Sequence, residues 1–539
     1  MVKRSPYVSA LRPTPVPTPH DAVSAHNAPV YAVDKWSRLY RVLIIGADSS
    51  TFYASKEAHA QDALALVQEC LRDDPHRVIN AAFEVSDNNL APKNDHAIFV
   101  IAAAAGFDYG TPEANKQYRN SAYEGAASIC RTFSHLSMFI EFRGGIGGDG
   151  MKRFIRRWYT NRTPAQIAYG AVKYQNRNGW RQSDVLKLAR PKPFTMERSA
   201  VFKYILDGTL PPNDGESPTD AIAFLHAVER VKTETQSYPV YSDIKRYHIP
   251  REAIPNQWLS DPMIWLAMLP DMPYWAMLRN LGKMTEVGAL RSSDDIALIV
   301  RKITDQDAIL RSRVHPLTIL TAIDGYKHGE STYGRVSWKP NSLVLSALDQ
   351  AFYLAFKNVQ PTGKNILLAV DTSTSMTHAS AIGRLDCRTV AAAMAMVTLA
   401  VEPHVTIIGF NQSVSLMPRE VAGMRMDQVV KWMGDQPNGN TYCGLVADFA
   451  HDWPIPGRSP FDAVVIYTDS QTMDYPSSFA EKIARVRRHS NKPNLKVAVV
   501  GMVDNAISLA DPNDRNYIDV VGFDASMPSL ISGFISGYL

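Results

Sequence analysis

The 539-residue sequence predicts two domains, an all-α array of helix pairs followed by a doubly wound α/β domain. Three observations carry this. From Lys56 to Val359 apolar residues recur at three- and four-residue spacing, in segments of about 12–18 residues parted by short polar or Pro-containing turns. After "VQPTGKN", Val359–Asn365, short continuously apolar runs alternate with helical segments, as parallel strands covered on both faces require. Composition is ordinary, with 45% hydrophobic and 20% charged residues, 30 Gly and 34 Pro, which excludes a collagen-like, low-complexity or disordered protein.

In chain order, residues 1–35 are Pro-, Ser- and His-rich and read as a flexible N-terminal arm. "RVLIIGA", Arg41–Ala47, reads as a short strand or a buried segment. Residues 36–358 carry the helical grammar of a HEAT-like repeat, seen in "EAHAQDALALVQECLRDD", "PTDAIAFLHAVERVK" and "NSLVLSALDQAFYLAFKNV", although no clean repeat period is present. "SMFIEFR" is a second short strand candidate, and "MKRFIRRWY" behind it is helical. His315, before Pro316, looks like a helix start. Residues 359–539 form the α/β domain. Its strands are "ILLAVD", "VTIIGF", "DAVVIYTD", "KVAVVGM" and "IDVVGF", separated by helices such as "RTVAAAMAMVTLAV" and "FAEKIARVRRH".

Several classes fall away. The longest apolar run, near Val390–Val401, is too short for a membrane span of about 20 residues, so no membrane partner is expected. No apolar stretch follows Lys3 and Arg4, so no secretory signal is expected. Cys70, Cys130, Cys387 and Cys443 are scattered, which suits a reducing cytoplasm. No HExxH, Walker or GxSxG motif is present, and we expect no enzyme. "GGIGGDG" matches GxGxxG at Gly145, Gly147 and Gly150, but no acid follows near position 170. A flexible loop opening a basic helix fits better than a dinucleotide site.

Net charge is only +4, yet residues 131–200 hold 14 Lys and Arg against 4 acids. Such a stretch suits a polyanion. Lys152, Arg153, Arg156 and Arg157 make a stripe on one helix. Lys173, Tyr174, Gln175, Arg177, Asn178, Lys187, Arg190 and Lys192 follow. Cations for phosphates, amides for base edges and aromatics for stacking are what single-stranded or looped RNA demands. Trp158, Tyr159 and Trp180 lie among them; for the tryptophans we favour a place in the core of helix pairs.

The second constellation is Asp371-Thr372-Ser373-Thr374-Ser375, directly after the first α/β strand. Its carboxylate and two hydroxyls are hard oxygen donors suited to a divalent metal ion, Mg²⁺ with Mn²⁺ or Ca²⁺ as alternatives. Thr441 and Asp469 lie on later loops. DxSxS, then Thr, then Asp resembles the metal-ion-dependent adhesion site of von Willebrand factor A domains. That resemblance implies a metal position left open for a partner's carboxylate, hence recognition rather than catalysis.

A helical repeat followed by one A domain, with "QNRNGW", "LKLARPKP", "LRNLGKMT" (Leu278–Thr285), "HPLTILTAIDGYK", "PTGKNILLAVDTSTSM" and "DPNDRNYIDVVGFD", resembles the Ro autoantigen family, built on the TROVE module, and its bacterial members in particular. The resemblance implies a ring of helical repeats joined end to end by the A domain. It implies small noncoding Y RNA on a basic outer surface, and single-stranded 3′ ends of misfolded or precursor noncoding RNAs in the hole. It also implies work beside 3′→5′ exoribonucleases, such as polynucleotide phosphorylase, in maturation, decay and stress responses. Lys173, Tyr174, Gln175, Arg177 and Asn178 match the family's RNA-contacting string. Arg190 stands where other members place a histidine, and "GGIGGDG" replaces a more charged segment of animal members. Arg279 and Lys283 line the hole or belong to a core helix. Asp371, Ser373, Ser375 and Thr441 match the metal positions, and Asp469 matches more loosely, through water. The rival reading is a protein-interaction scaffold that uses the metal site without nucleic acid; a metal-dependent hydrolase is a third, for which no general base can be named.

Overall fold

The computed structural model describes residues 35–45, 56–88, 90–91, 93–210, 220–331, 336–437, 439–453, 459–469, 472–474, 476–503, 509, 516–521, 523 and 527–537. The arm therefore lies outside the described residues, except for Lys35, which opens the first described helix.

Helices succeed one another from Lys35–Ile45 to Ser342–Leu354. Their starts are written in the sequence. Asp74, Thr111, Thr132, Thr163, Thr195, Asp261, Ser292, Asp305 and Asn341 each accept a bond from a first-turn N–H. Each such cap stabilises its helix by about 1 kcal/mol. Neighbours in sequence pack together: Asp95–Gly106 on Pro112–Ile129, and Pro316–His328 on Ser342–Leu354. That nearest-neighbour pattern is the mark of a solenoid. Asp95–Gly106 is buried from Ala97 to Ala105, as a helix that is apolar all round must be.

Two strand candidates are helices instead. Arg41–Ile44 is buried, as one of the two readings has it, but within the helix Lys35–Ile45, where Leu39, Val42 and Leu43 face inward. "SMFIEFR" belongs to Phe133–Phe142, capped by Thr132, with Leu136, Phe139 and Ile140 inward. Short apolar runs do not by themselves separate helix from strand. Here the three- and four-residue spacing of the buried positions decides.

His315 does cap the helix Pro316–His328: its Nδ1 accepts from Leu317 N at 3.2 Å. Burial pushes its pKa down to about 4. The unfolded chain protonates His315 below about pH 6.5 while the fold resists until about 4. Stability is therefore lost as pH falls through that window, by about 2 kcal/mol at pH 5. His315→Asn keeps a good cap and removes the titration. Urea midpoints at pH 7 and pH 5 should converge in the variant relative to wild type; an unchanged difference would refute this role.

The C-terminal half holds a six-stranded sheet in the order β5-β4-β1-β6-β7-β8. Its strands are β1 (Ile366–Asp371), β4 (Val405–Phe410), β5 (Val414–Leu416), β6 (Ala463–Thr468), β7 (Lys496–Gly501) and β8 (Tyr517–Val521), with a small hairpin of β2 (Ser380–Ile382) and β3 (Leu385–Asp386) apart from it. All pairings in the sheet are parallel except the short edge strand β5, which the sequence reading missed, as it did the hairpin. Strands of two or three residues give too little pattern to read. Along β1 alternate side chains part. Ile366, Leu368 and Val370 join one core, and Leu367 and Ala369 the other. The first of these cores continues without a break into the helical array.

The α/β half touches both ends of that array. Helix Cys387–Val401 rests on Pro316–His328 and on the turn Ala355–Asn358, while helix Met527–Ser536 rests on Lys35–Ile45. Tyr353 Oη accepts from Met426 N at 3.0 Å, and Arg425 pairs with Asp349 at 3.2 Å across the junction. The chain thus closes into a circuit. Among the described residues, no helix is long and apolar enough to cross a membrane.

Candidate metal centre and nucleic-acid interface

Read along the sheet, the five parallel strands run β4-β1-β6-β7-β8. The chain leaves β1 toward β4, then returns to the other side of β1 at β6. This reversal is a topological switch point, where such sheets bind ligands beyond the carboxyl ends of their strands. Asp371 ends β1, and Thr468 with Asp469 ends β6, so the carboxylates flank that point.

The sequence-predicted ligands converge there. Asp371 Oδ1 accepts from Ser373 N at 2.8 Å, and the Ser373 and Ser375 hydroxyls lie 2.9 Å apart. Thr441 Oγ1 reaches both Asp371 oxygens at 3.4 Å. Asp371, Ser373, Thr441 and Asp469 are buried, and Ser375 is half-buried, which leaves it on the open side. Thr468 was not foreseen, yet it donates to Asp371 Oδ2 at 2.8 Å. Its place before Asp469 in "YTD" is visible in the sequence, but no spacing there marks it as a donor. Arg388 holds the turn by donating to Ser373 O at 3.1 Å, and Asn411 donates to Thr372 Oγ1 at 3.2 Å.

Burial pushes the Asp371 pKa up to about 6 against the hydrogen bonds of Ser373 and Thr468, and the charge of Asp469 adds to the rise. Two buried carboxylates with four hydroxyls around them, from Ser373, Ser375, Thr441 and Thr468, form an all-oxygen set. A hard divalent cation suits its chemistry, because it would relieve the repulsion and replace the missing hydration. Among the described residues no cluster of three His, Cys, Asp or Glu offers an alternative centre. The site depends on hydroxyls as much as on carboxylates.

The basic stretch is a mixture of bearing and structural cations. In the helix Gly148–Thr160, Arg153, Arg156 and Arg157 are exposed and Lys152 is half-buried. Arg156 is tied, its Nε donating to Ala189 O at 2.7 Å, which brings this helix against the Arg190 segment. Arg162 lies 3.4 Å over the Trp158 ring and donates to the Trp158, Cys130 and Arg131 carbonyls. Arg131 donates to Ser86 O at 2.6 Å. These cations fasten loops, which net charge alone does not reveal. Trp158 and Tyr159 are core residues; Trp158 Nε1 donates to Cys130 O at 2.7 Å. Trp180 is half-buried and donates to Glu141 at 3.1 Å.

Lys173, Tyr174 and Arg177 come together, with Lys173 Nζ 5.8 Å and the Arg177 guanidinium 6.0 Å from the Tyr174 ring. Asn178 and Gly179, both at positive φ, form the tight turn that joins Arg177 to Trp180. The Asn178 side chain points inward, to Ser137 Oγ at 3.1 Å, so Asn178 shapes the turn. Gln175 is exposed and donates to Glu252 O. Lys187, Arg190 and Lys192 are exposed, Arg190 in the left-handed conformation that ends its helix. Arg279 and Lys283 sit apart, on the helix Tyr274–Glu286. Arg279 is exposed over Trp275, and Lys283 pairs with Glu286 at 2.5 Å.

Comparison with known proteins agrees with both halves. The TROVE domain family matches residues 23–236 and 244–332, and the Ro60 vWA domain family matches 365–535. The "RNA-binding protein RO60" of Deinococcus radiodurans is 32% identical over 94% of this chain and 94% of its own length. Its Caenorhabditis elegans namesake is 28% identical over 94% of this chain and 89% of its own. The crystal structure of the Deinococcus radiodurans RO (RSR) protein superposes with a TM-score of 0.79 at 30% identity, covering 94% of this chain and all of that one.

Proposed function

The chain belongs to the Ro60/TROVE family of RNA-binding proteins, and on that premise we propose that it binds small noncoding Y RNA on its basic face and holds single-stranded 3′ ends of misfolded or precursor noncoding RNAs in a central hole. Residues 36–358 form the RNA-binding ring and residues 359–539 the A domain that closes it. It acts in the cytoplasm, beside a 3′→5′ exoribonuclease such as polynucleotide phosphorylase, in RNA maturation, decay and stress responses. It carries no catalytic centre of its own.

One observation carries this most directly. Exposed Arg153, Arg157, Lys187, Arg190 and Lys192 lie on segments that Arg156 ties together, and the Lys173–Tyr174–Arg177 cluster lies between those segments in sequence. Cations with an accessible ring beside them suit phosphates and unpaired bases. The contact of the first described helix with the last supports a closed ring. Four free, buried cysteines support a reducing compartment. Asp371, Ser373, Ser375 and Thr441, with Asp469 through water, hold a divalent cation, Mg²⁺ first, as a separate docking port.

The test is a titration with a stem-loop RNA, with and without a single-stranded 3′ tail, at two salt concentrations and with EDTA. Tight, salt-sensitive, tail-dependent binding that survives EDTA is the expected result. Weak binding indifferent to the tail would overturn the reading in favour of a protein-interaction scaffold at the metal site.

A further inference from the structure

Phe194 stands out from the rest of the fold. It has φ +58°, and Thr195 N donates to Pro193 O at 2.8 Å, so Phe194 is the centre of a γ-turn of the positive-φ hand. A bulky side chain rarely accepts that backbone, and the turn itself is a strained one. Its ring nevertheless gains little from burial, being 72% exposed, and Met196 beside it is 92% exposed. Strain of this kind persists only where surrounding contacts impose it. Those contacts are present. Arg198 donates to Pro193 O at 3.2 Å and to Arg162 O at 2.7 Å, while Thr195 Oγ1 caps the helix Met196–Asp207 by accepting from Arg198 N. The fold clamps both sides of a turn whose product is one outward-facing ring.

The surroundings indicate what that ring meets. Lys187, Arg190 and Lys192 precede it, all exposed, with no acid among residues 187–196. Arg156 is bonded to Ala189 O, which sets the basic helix alongside. The nearest acid in sequence, Glu197, lies in the first turn of the next helix. An exposed ring bordered by cations matches one chemical class closely, a nucleobase whose flanking phosphates meet Arg190 and Lys192.

We propose that Phe194 is a base-stacking residue that holds an unpaired nucleobase of bound RNA, with Arg190 and Lys192 on the adjoining phosphates. This rests on the RNA-binding reading and adds to it Phe194, a residue not named for it above.

The probe is a single-stranded RNA oligonucleotide of mixed sequence, with an all-abasic oligonucleotide of the same length as control. Phe194→Ala should weaken binding of the first about 5- to 150-fold, the usual worth of one stacked base, without changing the slope of log K against log salt, since no charge is lost. Phe194→Trp should restore binding. The abasic oligonucleotide should bind wild type and Phe194→Ala alike. Phe194→Gly should raise the melting temperature, because glycine accepts positive φ, while still losing affinity. A purely structural Phe194 would instead lower the melting temperature when changed to Gly. Wild type that binds neither oligonucleotide would overturn the RNA reading together with this site. Wild-type binding undiminished in a folded Phe194→Ala would overturn this site alone and leave the phosphate contacts standing.

Discussion

Asp371→Asn should make the metal-free protein more stable at neutral pH, and should abolish any further stabilisation by Mg²⁺. Asp371 is fully buried, and burial raises its pKa from 3.8 to about 6. Between those values the folded state holds a proton that the unfolded chain has released. Stability therefore falls as pH rises through that window, and the loss is complete above about 6. It amounts to about 3 kcal/mol. Asn fills the same space, still accepts from Ser373 N, and carries no charge. The gain over wild type should be present at pH 7.5 in EDTA and vanish near pH 4, where the carboxyl is neutral. In wild type, Mg²⁺ at about a hundred times its Kd should return about 2.7 kcal/mol. Thermal melts at both pH values, with and without Mg²⁺, check all of this. A metal-free Asp371→Asn less stable than wild type at pH 7.5 would show that the carboxylate is already compensated by its hydroxyl partners.

Arg153→Gln with Arg157→Gln should weaken RNA binding about 25- to 60-fold at about 0.1 M salt, and the difference should close near 1 M. The two arginines lie four residues apart on the helix Gly148–Thr160, both exposed, so they address one phosphate track. Each phosphate neutralised contributes about 0.7–0.9 to the log–log salt slope, so the double variant should lose about 1.4–1.8 of it. Arg156 is the wrong residue for this experiment. Its bond to Ala189 O braces the neighbouring segment, and removing it would mix a packing defect with a lost contact. Fluorescence anisotropy across a salt series gives both affinity and slope. An unchanged slope would remove this helix from the interface.

The fold was largely legible because its signals are long. Helices of ten or more residues with caps such as Thr163 and Asn341 declare their own starts, and β1, β4, β6 and β7 are apolar runs broken only by Thr406 and by polar residues at strand ends. What failed was short: the strand alternative for "RVLIIGA" and the strand candidate "SMFIEFR" rest on too few residues to show the helical spacing of their neighbours, although the burial expected of the first holds at Arg41–Ile44, and β5 is only three residues long. In the metal centre, DxSxS was readable because its residues are neighbours in sequence. Thr468 was overlooked because a lone threonine before an aspartate has no spacing that marks it as a donor. The basic surface was readable as a region, but the role of each cation was not. Arg131, Arg156 and Arg162 end on backbone carbonyls, and only the packing of distant segments decides that. Phe194 left no mark at all, since its significance lies in a backbone angle.

The closure of the circuit also bears on how the molecule is made. The helix Lys35–Ile45 packs on its sequence neighbours Lys56–Asp73, Pro75–Asp87 and Asp95–Gly106, and also on Met527–Ser536, although nearly the whole chain separates it from the last of these. During synthesis the helical array can assemble pair by pair from local contacts, but Lys35–Ile45 stays without its contact to Met527–Ser536 until that helix has left the ribosome. Closing is therefore the slow, non-local step. A nascent chain caught before it leaves surface open at both ends of the array, where Lys35–Ile45 awaits Met527–Ser536 and where Pro316–His328 awaits Cys387–Val401. Exposed surface of this kind is where a chaperone would engage the chain and where two unfinished copies would exchange ends.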